Sequence, residues 1–316
     1  MKVIHIDTLD SLSHDFDETA ACIGYFDGVH RGHQELIHKT LKVASEKDLK
    51  SSFITFHPDP WSVLKESNQV NHITPMVEKT RIVESYGFDM MVVIGFTKDI
   101  SRLSPQDFIE KLILPLNVKS LICGNDYRFG FKGQGTPAYI QANYADILPC
   151  DVIDLLNDEF GKIGSTHIIQ KILKGNMEVV TQELGREYCV SGKVIHGRKQ
   201  GRLIGFPTAN MELIGEYVIP KPGVYAGYTR VKENVYISII NIGYNPTFNT
   251  TPTLSIETHI LDFNDEIYGE VITQSFSVRI RDELKFDGLD GLIDQMNQDA
   301  QFAREHLGEN LKHVKF

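Results

Sequence analysis

Through about residue 157 the chain alternates short apolar runs with segments of helical period, and this alternation leaves few architectures open. The runs AACIGYF, SSFITF, DMMVVIGF, SLICGN and CDVIDLL are apolar at successive positions, as strands buried on both faces must be. Between them lie segments with one apolar face. One carries Leu36, Ile37, Thr40, Leu41 and Ala44; another is PMVEKTRIVESYG; a third, SPQDFIEKLILPL, opens with Ser104 as cap and Pro105 at the first helical position. Strand and helix in this order predict a parallel, doubly wound α/β sheet.

Past the helical stretch THIIQKILKGNMEVVTQELG the period changes. From about Val190 the runs VSGKVIHG, GVYAGYTRV, NVYISIINIG, LSIETHILDF and EVITQSFSVRI alternate in polarity between Gly, Pro, Asn and Asp turns, which predicts an antiparallel barrel or sandwich. A terminal helix follows, with an apolar face of Leu289, Leu292, Ile293, Met296, Ala300, Ala303 and Leu307. The change of period places the boundary near residues 185–188, giving domains 1–186 and 187–316, in keeping with 316 residues.

With 32 basic against 42 acidic residues the net charge is −10, and no basic run offers a track for a nucleic-acid backbone. Nucleic acid is therefore not expected as a partner, and a site for anions must concentrate positive potential locally. No segment has the apolar length of a membrane span, and Cys22, Cys123, Cys150 and Cys189 lack metal-finger spacing, so a cytoplasmic protein with reduced thiols is expected.

The phrase GYFDGVHRGHQ falls where the first complete strand turns into a helix, the place where doubly wound sheets bind ligands. Gly24, Gly28 and Gly32 allow close backbone approach, the helix start presents unpaired N–H groups, and His30 and His33 add two imidazoles. These imidazoles can pack, bind a metal or meet a phosphate. For a metal, the segment supplies no third ligand except Asp27.

The wording FDGVHRGHQ resembles the HxGH signature of the nucleotidylyltransferases, and in particular the bacterial FAD synthetases, bifunctional riboflavin kinase/FMN adenylyltransferases. The resemblance covers nearly the whole chain. It implies that His30 and His33 stabilise charge during adenylyl transfer, with Gly24, Phe26, Asp27, Gly28, Gly32, Ser165 and Thr166 around the nucleotide. GNDYRFGFKGQG is similar to the family's flavin-side loop, which would put Asn125, Asp126 and Arg128 near flavin; taken alone it reads equally as a polar loop with glycine turns. Two departures stand out. In TFHPDP, His57 and Asp59 have exchanged places relative to the family, and His167 and Ile169 stand where two triphosphate-holding arginines are usual. Lys162, Lys171 and Arg128 are candidates to replace that charge.

In the second domain GRKQGRLIGFPTAN resembles the nucleotide-gripping element of riboflavin kinases, implying nucleotide contacts from Gly197, Arg202, Gly205, Pro207, Thr208 and Asn210. Thr208 and Asn210 offer hard oxygens suited to Mg²⁺. PGVYAGY, NIGYNPTF and ETHILDF also match the family. Alternation puts Glu257 on the strand face shared with His259 and opposite Ile256 and Ile260, and the resemblance makes it the general base. RDELKF implies flavin contacts from Arg281 and Phe286.

The expected function is ATP-dependent conversion of riboflavin to FMN and of FMN to FAD. A riboflavin kinase with an impaired first domain and a non-catalytic flavin- or nucleotide-binding regulator are the competing readings.

Overall fold

The five apolar runs of the first half, with one further strand ahead of them, form six parallel strands: β1 (Lys2–Ile6), β2 (Thr19–Ile23), β3 (Lys50–His57), β4 (Met90–Gly95), β5 (Val118–Gly124) and β6 (Cys150–Ile153). They come from a computed structural model describing all residues except 10–11, 13–15, 66–69, 155, 159–160, 198–200, 202–203, 246–252 and 315. The chain divides into two compact units, Met1–Ser165 and Thr166–Phe316.

In the first unit the strand order is β1-β4-β3-β2-β5-β6. The chain moves outward from β2 through β3 to β4 and then returns to the other side of β2 as β5, so the topological switch lies between β2 and β5. β2 is buried at every position. Ala20 and Cys22 pack on one side with Leu36, Ile37, Val43, Ile82 and Val83; these belong to α1 (Arg31–Glu46) and, after α2 (Pro60–Lys65), to α3 (Met76–Ser85). Ala21 and Ile23 pack on the other side with residues of the β4–β5 connection and with Ile140.

That connection contains α4 (Lys98–Ser101) and α5 (Pro105–Phe108). As its sequence predicts, Ser104 Oγ accepts from the Asp107 amide at 3.0 Å and Pro105 stands at the first helical position. The expected long helix then widens into a π-turn over Ile109–Ile113 and a short 3₁₀ turn, ending at left-handed Asn117. α6 (Pro137–Asn143) joins β5 to β6, and a small hairpin, β7 (Asn157–Asp158) and β8 (Gly161–Lys162), precedes α7 (Ser165–Lys174). β1 is not among the strands expected from sequence: it is a half-exposed edge strand without a continuous apolar run.

The single helix expected after residue 165 is two, α7 and α8 (Met177–Leu184), broken at Gly175, whose φ is +79°. Then come β9 (Tyr188–Ile195), β10 (Ala209–Leu213), β11 (Gly223–Val231), β12 (Asn234–Asn245), β13 (Thr253–Ile260) and β14 (Val271–Phe276). They run β12-β13-β10-β9-β14-β11, and β11 pairs back to β12, closing an antiparallel barrel. β15 (Val278–Arg281) continues along β11. The terminal helix α9 (Leu289–Leu307) lays Ala303 and Leu307 against Val224, Ala226 and Tyr228 of β11.

The buried face of α9 differs from the apolar stripe in the sequence: Leu289 is 62% exposed, while Asp299 is only 2% exposed. Asp299 is paired with Arg281, whose Nε and Nη2 reach its carboxylate at 3.1 and 2.6 Å, and Gln295 Nε2 donates to it at 3.0 Å. Replacing Arg281 with methionine strands that carboxylate, so we expect a loss of about 3 kcal/mol, read as a lower urea midpoint for the second unit; a midpoint unchanged from wild type rules this out.

Candidate active sites

The two loops carrying the N-terminal motifs leave the carboxyl ends of β2 and β5, adjacent strands at the switch point. The β2–α1 loop is held in a shape that side chains resist: Phe26 and Val29 take φ of 57° and 40°, and Gly28 takes 85°. Two such non-glycine residues, one β-branched, store strain on the order of 1–3 kcal/mol each, a cost characteristic of functional loops.

His30 caps α1. Its Nδ1 accepts the His33 amide at 3.3 Å, which places the proton of the neutral ring on Nε2. The His30 and His33 rings stack with centroids 3.6 Å apart, and the edge of Phe26 meets His33 at 5.1 Å. A Cβ on Gly32 would press on the His30 ring at 3.2 Å, and one on Gly24 would touch the Phe26 ring at 3.0 Å. These glycines thus make room for the two aromatic systems.

Phe26 is 2% exposed and packs on Phe53, so its ring shapes the loop and only its backbone is available to a nucleotide. Asp27 is also buried. Its two carboxylate oxygens accept the amides of Ile73 and Thr74 at 3.2 and 3.0 Å. Its carbonyl accepts from Ser165 Oγ at 2.8 Å, which brings Ser165 to the histidine loop; Thr166 is exposed beside it in the first turn of α7.

On the neighbouring loop Asn125, Asp126 and Arg128 are exposed. Asn125 Nδ2 donates to Asp154 at 3.0 Å and Arg128 Nη1 to the Tyr127 carbonyl at 3.0 Å. Gly135 pairs with Phe129 so closely that a Cβ would enter its ring. Of the candidates to replace the missing arginines, Lys171 is bound to buried Glu183, the Lys162 side chain lies outside the described residues, and Arg128 is at the loop surface. His167 is exposed and Ile169 half-buried. Asp59 caps α2, accepting the amides of Trp61 and Ser62, whereas His57 is exposed.

In the second unit the strand register assembles what the sequence leaves apart. Glu257 on β13 pairs with Asn210 of β10 on one side and Asn241 of β12 on the other. Directly paired residues point to the same face with Cβ atoms about 5 Å apart, so a carboxylate sits between two carboxamides. Ile256, Thr258 and Ile260 are buried while Glu257 and His259 are half-buried, as the alternation predicts. His259 Nδ1 donates to the Pro207 carbonyl at 2.8 Å and its ring meets Phe206 at 5.2 Å, fastening the FPTAN segment to the strand that carries Glu257.

Thr208 is half-buried in that segment. Gly197 lies against the Asn210 carboxamide, where any Cβ would collide, and Gly205 turns the loop with φ +84°. Arg202 lies outside the described residues. Asn241 Nδ2 donates to Glu283 at 3.3 Å, a contact with no signal in the sequence. Arg281 has its guanidinium committed to Asp299, and Phe286 is half-buried near Gly291. Among the described residues there is no group of three or more His, Cys, Asp and Glu able to hold a metal ion.

The FAD synthetase family matches residues 12–167 and the riboflavin kinase family matches residues 184–307. The chain is 42% identical over 284 residues to the bifunctional riboflavin kinase/FMN adenylyltransferase of Listeria monocytogenes, covering 89% of this chain and 90% of that one. It is 38% identical over 307 residues to the protein of the same description from Bacillus subtilis, covering 96% and 97%. A crystal structure described as a macrolide-efflux protein from Streptococcus pneumoniae superposes with a TM-score of 0.87 at 32% identity, covering 96% of this chain and 99% of that one. Among the described residues of this chain no helix is long and apolar enough to cross a membrane.

Proposed function

The chain belongs to the bifunctional riboflavin kinase/FMN adenylyltransferase family, and we propose how its own residues divide that work. The barrel unit phosphorylates riboflavin with ATP. Glu257 takes the proton of the riboflavin 5′-hydroxyl as that oxygen attacks the γ-phosphate, and ADP leaves. The row Asn241–Glu257–Asn210 carries this half of the reading, because it sets a general base beside the segment that grips the nucleotide.

The Thr208 hydroxyl and the Asn210 amide carbonyl, next to the Glu257 carboxylate, form an all-oxygen donor set that fits Mg²⁺. When bound, the ion neutralises phosphate charge. Gly197 and the His259 tether keep Asn210 and the FPTAN segment in place for it.

The α/β unit joins FMN to AMP. An FMN phosphate oxygen forms a bond to the α-phosphorus of ATP, the bond from that phosphorus to the bridging oxygen breaks, and pyrophosphate leaves; no side chain becomes covalently bound. His30 and His33 donate to the oxygens on which charge builds, with the N-terminus of α1 behind them. Asn125, Asp126 and Arg128, at the end of the adjacent strand, face the flavin side of the same crevice. Arg128 supplies fixed positive charge that His167 and Ile169 do not. An ATP-consuming chain whose described cysteines are thiols rather than disulfides fits the cytoplasm.

The test is chromatographic. Purified protein with excess ATP and Mg²⁺ is given riboflavin in one tube and FMN in another, and the flavins are resolved over time. FAD forming in both tubes is the expected result; FMN accumulating from riboflavin, with no FAD from either substrate, leaves a kinase with a silent first domain.

A further inference from the structure

The segment from His72 to Lys79 grips the loop that presents His30 and His33. The Tyr25 hydroxyl lies 3.0 Å from His72 Nδ1, and Asp27 takes the amides of Ile73 and Thr74. From the first turns of α3, Lys79 Nζ donates to the Tyr25 carbonyl at 2.7 Å and stands 4.5 Å from the centre of the Tyr25 ring. Thr55 Oγ1 donates to the same carbonyl at 3.0 Å. The next residue, Phe26, is the first of the positive-φ positions.

Lys79 is 2% exposed, and the carboxylates acting on it, Asp27 and Asp59, are each 6% exposed. Burial draws its ammonium down to about 8, against the pull of those two carboxylates. A lysine whose folded value lies below its unfolded one costs the fold stability at neutral pH, and the cost fades as pH rises through 8. An apolar side chain at this position would hold α3 against the sheet without that cost, so packing alone does not account for an ammonium.

Resting on the reading of His30 and His33 as the adenylyl-transfer site, we propose that Lys79 is a positioning residue for that step. Its ammonium, with the Thr55 hydroxyl, pins the Tyr25 carbonyl and so fixes the strained backbone from which both imidazoles project. Neither residue touches substrate. Misplacing a catalytic group by about 1 Å costs up to about 10²-fold in rate, while ground-state contacts made elsewhere persist.

The experiment uses the full chain and follows FAD formation from FMN and ATP. For Lys79→Met we expect kcat to fall about 10–100-fold with KM for FMN and ATP within about threefold, while the same sample phosphorylates riboflavin at the wild-type rate. A kcat within twofold of wild type overturns the proposal, as does a loss carried by KM. If thermal melting shows that Lys79→Met unfolds the first unit, Thr55→Val decides: it removes the other donor to the same carbonyl at nearly constant volume. A several-fold lower kcat at unchanged KM supports the proposal, and an unchanged kcat sinks it. Wild-type protein that makes no FAD from FMN overturns the underlying reading of the site before any variant is made.

Discussion

Glu257→Gln leaves a chain that binds riboflavin but phosphorylates it about 10²–10⁴-fold more slowly, the range set by removing a positioned general base. The substitution keeps the shape and hydrogen-bonding capacity of the side chain between Asn210 and Asn241, so the barrel register is unaffected. What it removes is the carboxylate that accepts the hydroxyl proton. The loss should sit in kcat, with the riboflavin dissociation constant, measured by fluorescence quenching, near that of wild type. Adenylylation of supplied FMN should continue at the wild-type rate, because the histidine loop belongs to the other compact unit. A kinase rate within fivefold of wild type would show that the proton leaves by another route.

His33→Ala has the converse effect: FAD formation from FMN falls about 10²–10³-fold, as expected when a donor to developing phosphate charge is deleted, and riboflavin phosphorylation persists. His30 has a second duty, since its Nδ1 caps α1. His30→Asn separates the two roles, because asparagine is a good N-cap and lacks the imidazole. Its thermal midpoint should stay close to wild type while adenylyl transfer drops as far as in His33→Ala. Should His30→Asn retain full adenylylation, His30 is only a cap and the charge is stabilised by His33 and the helix end.

The standing of the missing arginines follows from the same physics. The family places two guanidinium groups where this chain has His167 and Ile169, yet the first unit keeps its strained loop, its stacked imidazoles and the contact from Ser165 to Asp27. Phe26 and Val29 at positive φ are backbone outliers of the kind that cluster in functional loops.

Hydrophobic period determined the type of nearly every element. Four of the five runs read as apolar on both faces became the inner strands of a parallel sheet, the fifth became its half-buried edge β6, and strict alternation in the second half became a barrel with Glu257 on its outer face. The exceptions were local in origin: β1 is an edge strand too exposed to show a continuous apolar run, and Leu289 extends an apolar stripe beyond the surface that α9 covers. The motif words also lay in the sequence, which is why both histidines, the FPTAN segment and Glu257 could be singled out.

Tertiary structure alone decided which of these words meet. Strand order puts the loops after β2 and β5 side by side although about a hundred residues separate them, and register, a property of pairing between strands, lines Asn210 and Asn241 up with Glu257. Side-chain charge misleads in the same way. Lys79, Asp27 and Asp299 carry no mark of burial in the sequence, because nothing local separates an exposed charge from a buried one. Their partners, the Tyr25 carbonyl, the amides of Ile73 and Thr74 and the Arg281 guanidinium, reach them only through tertiary packing.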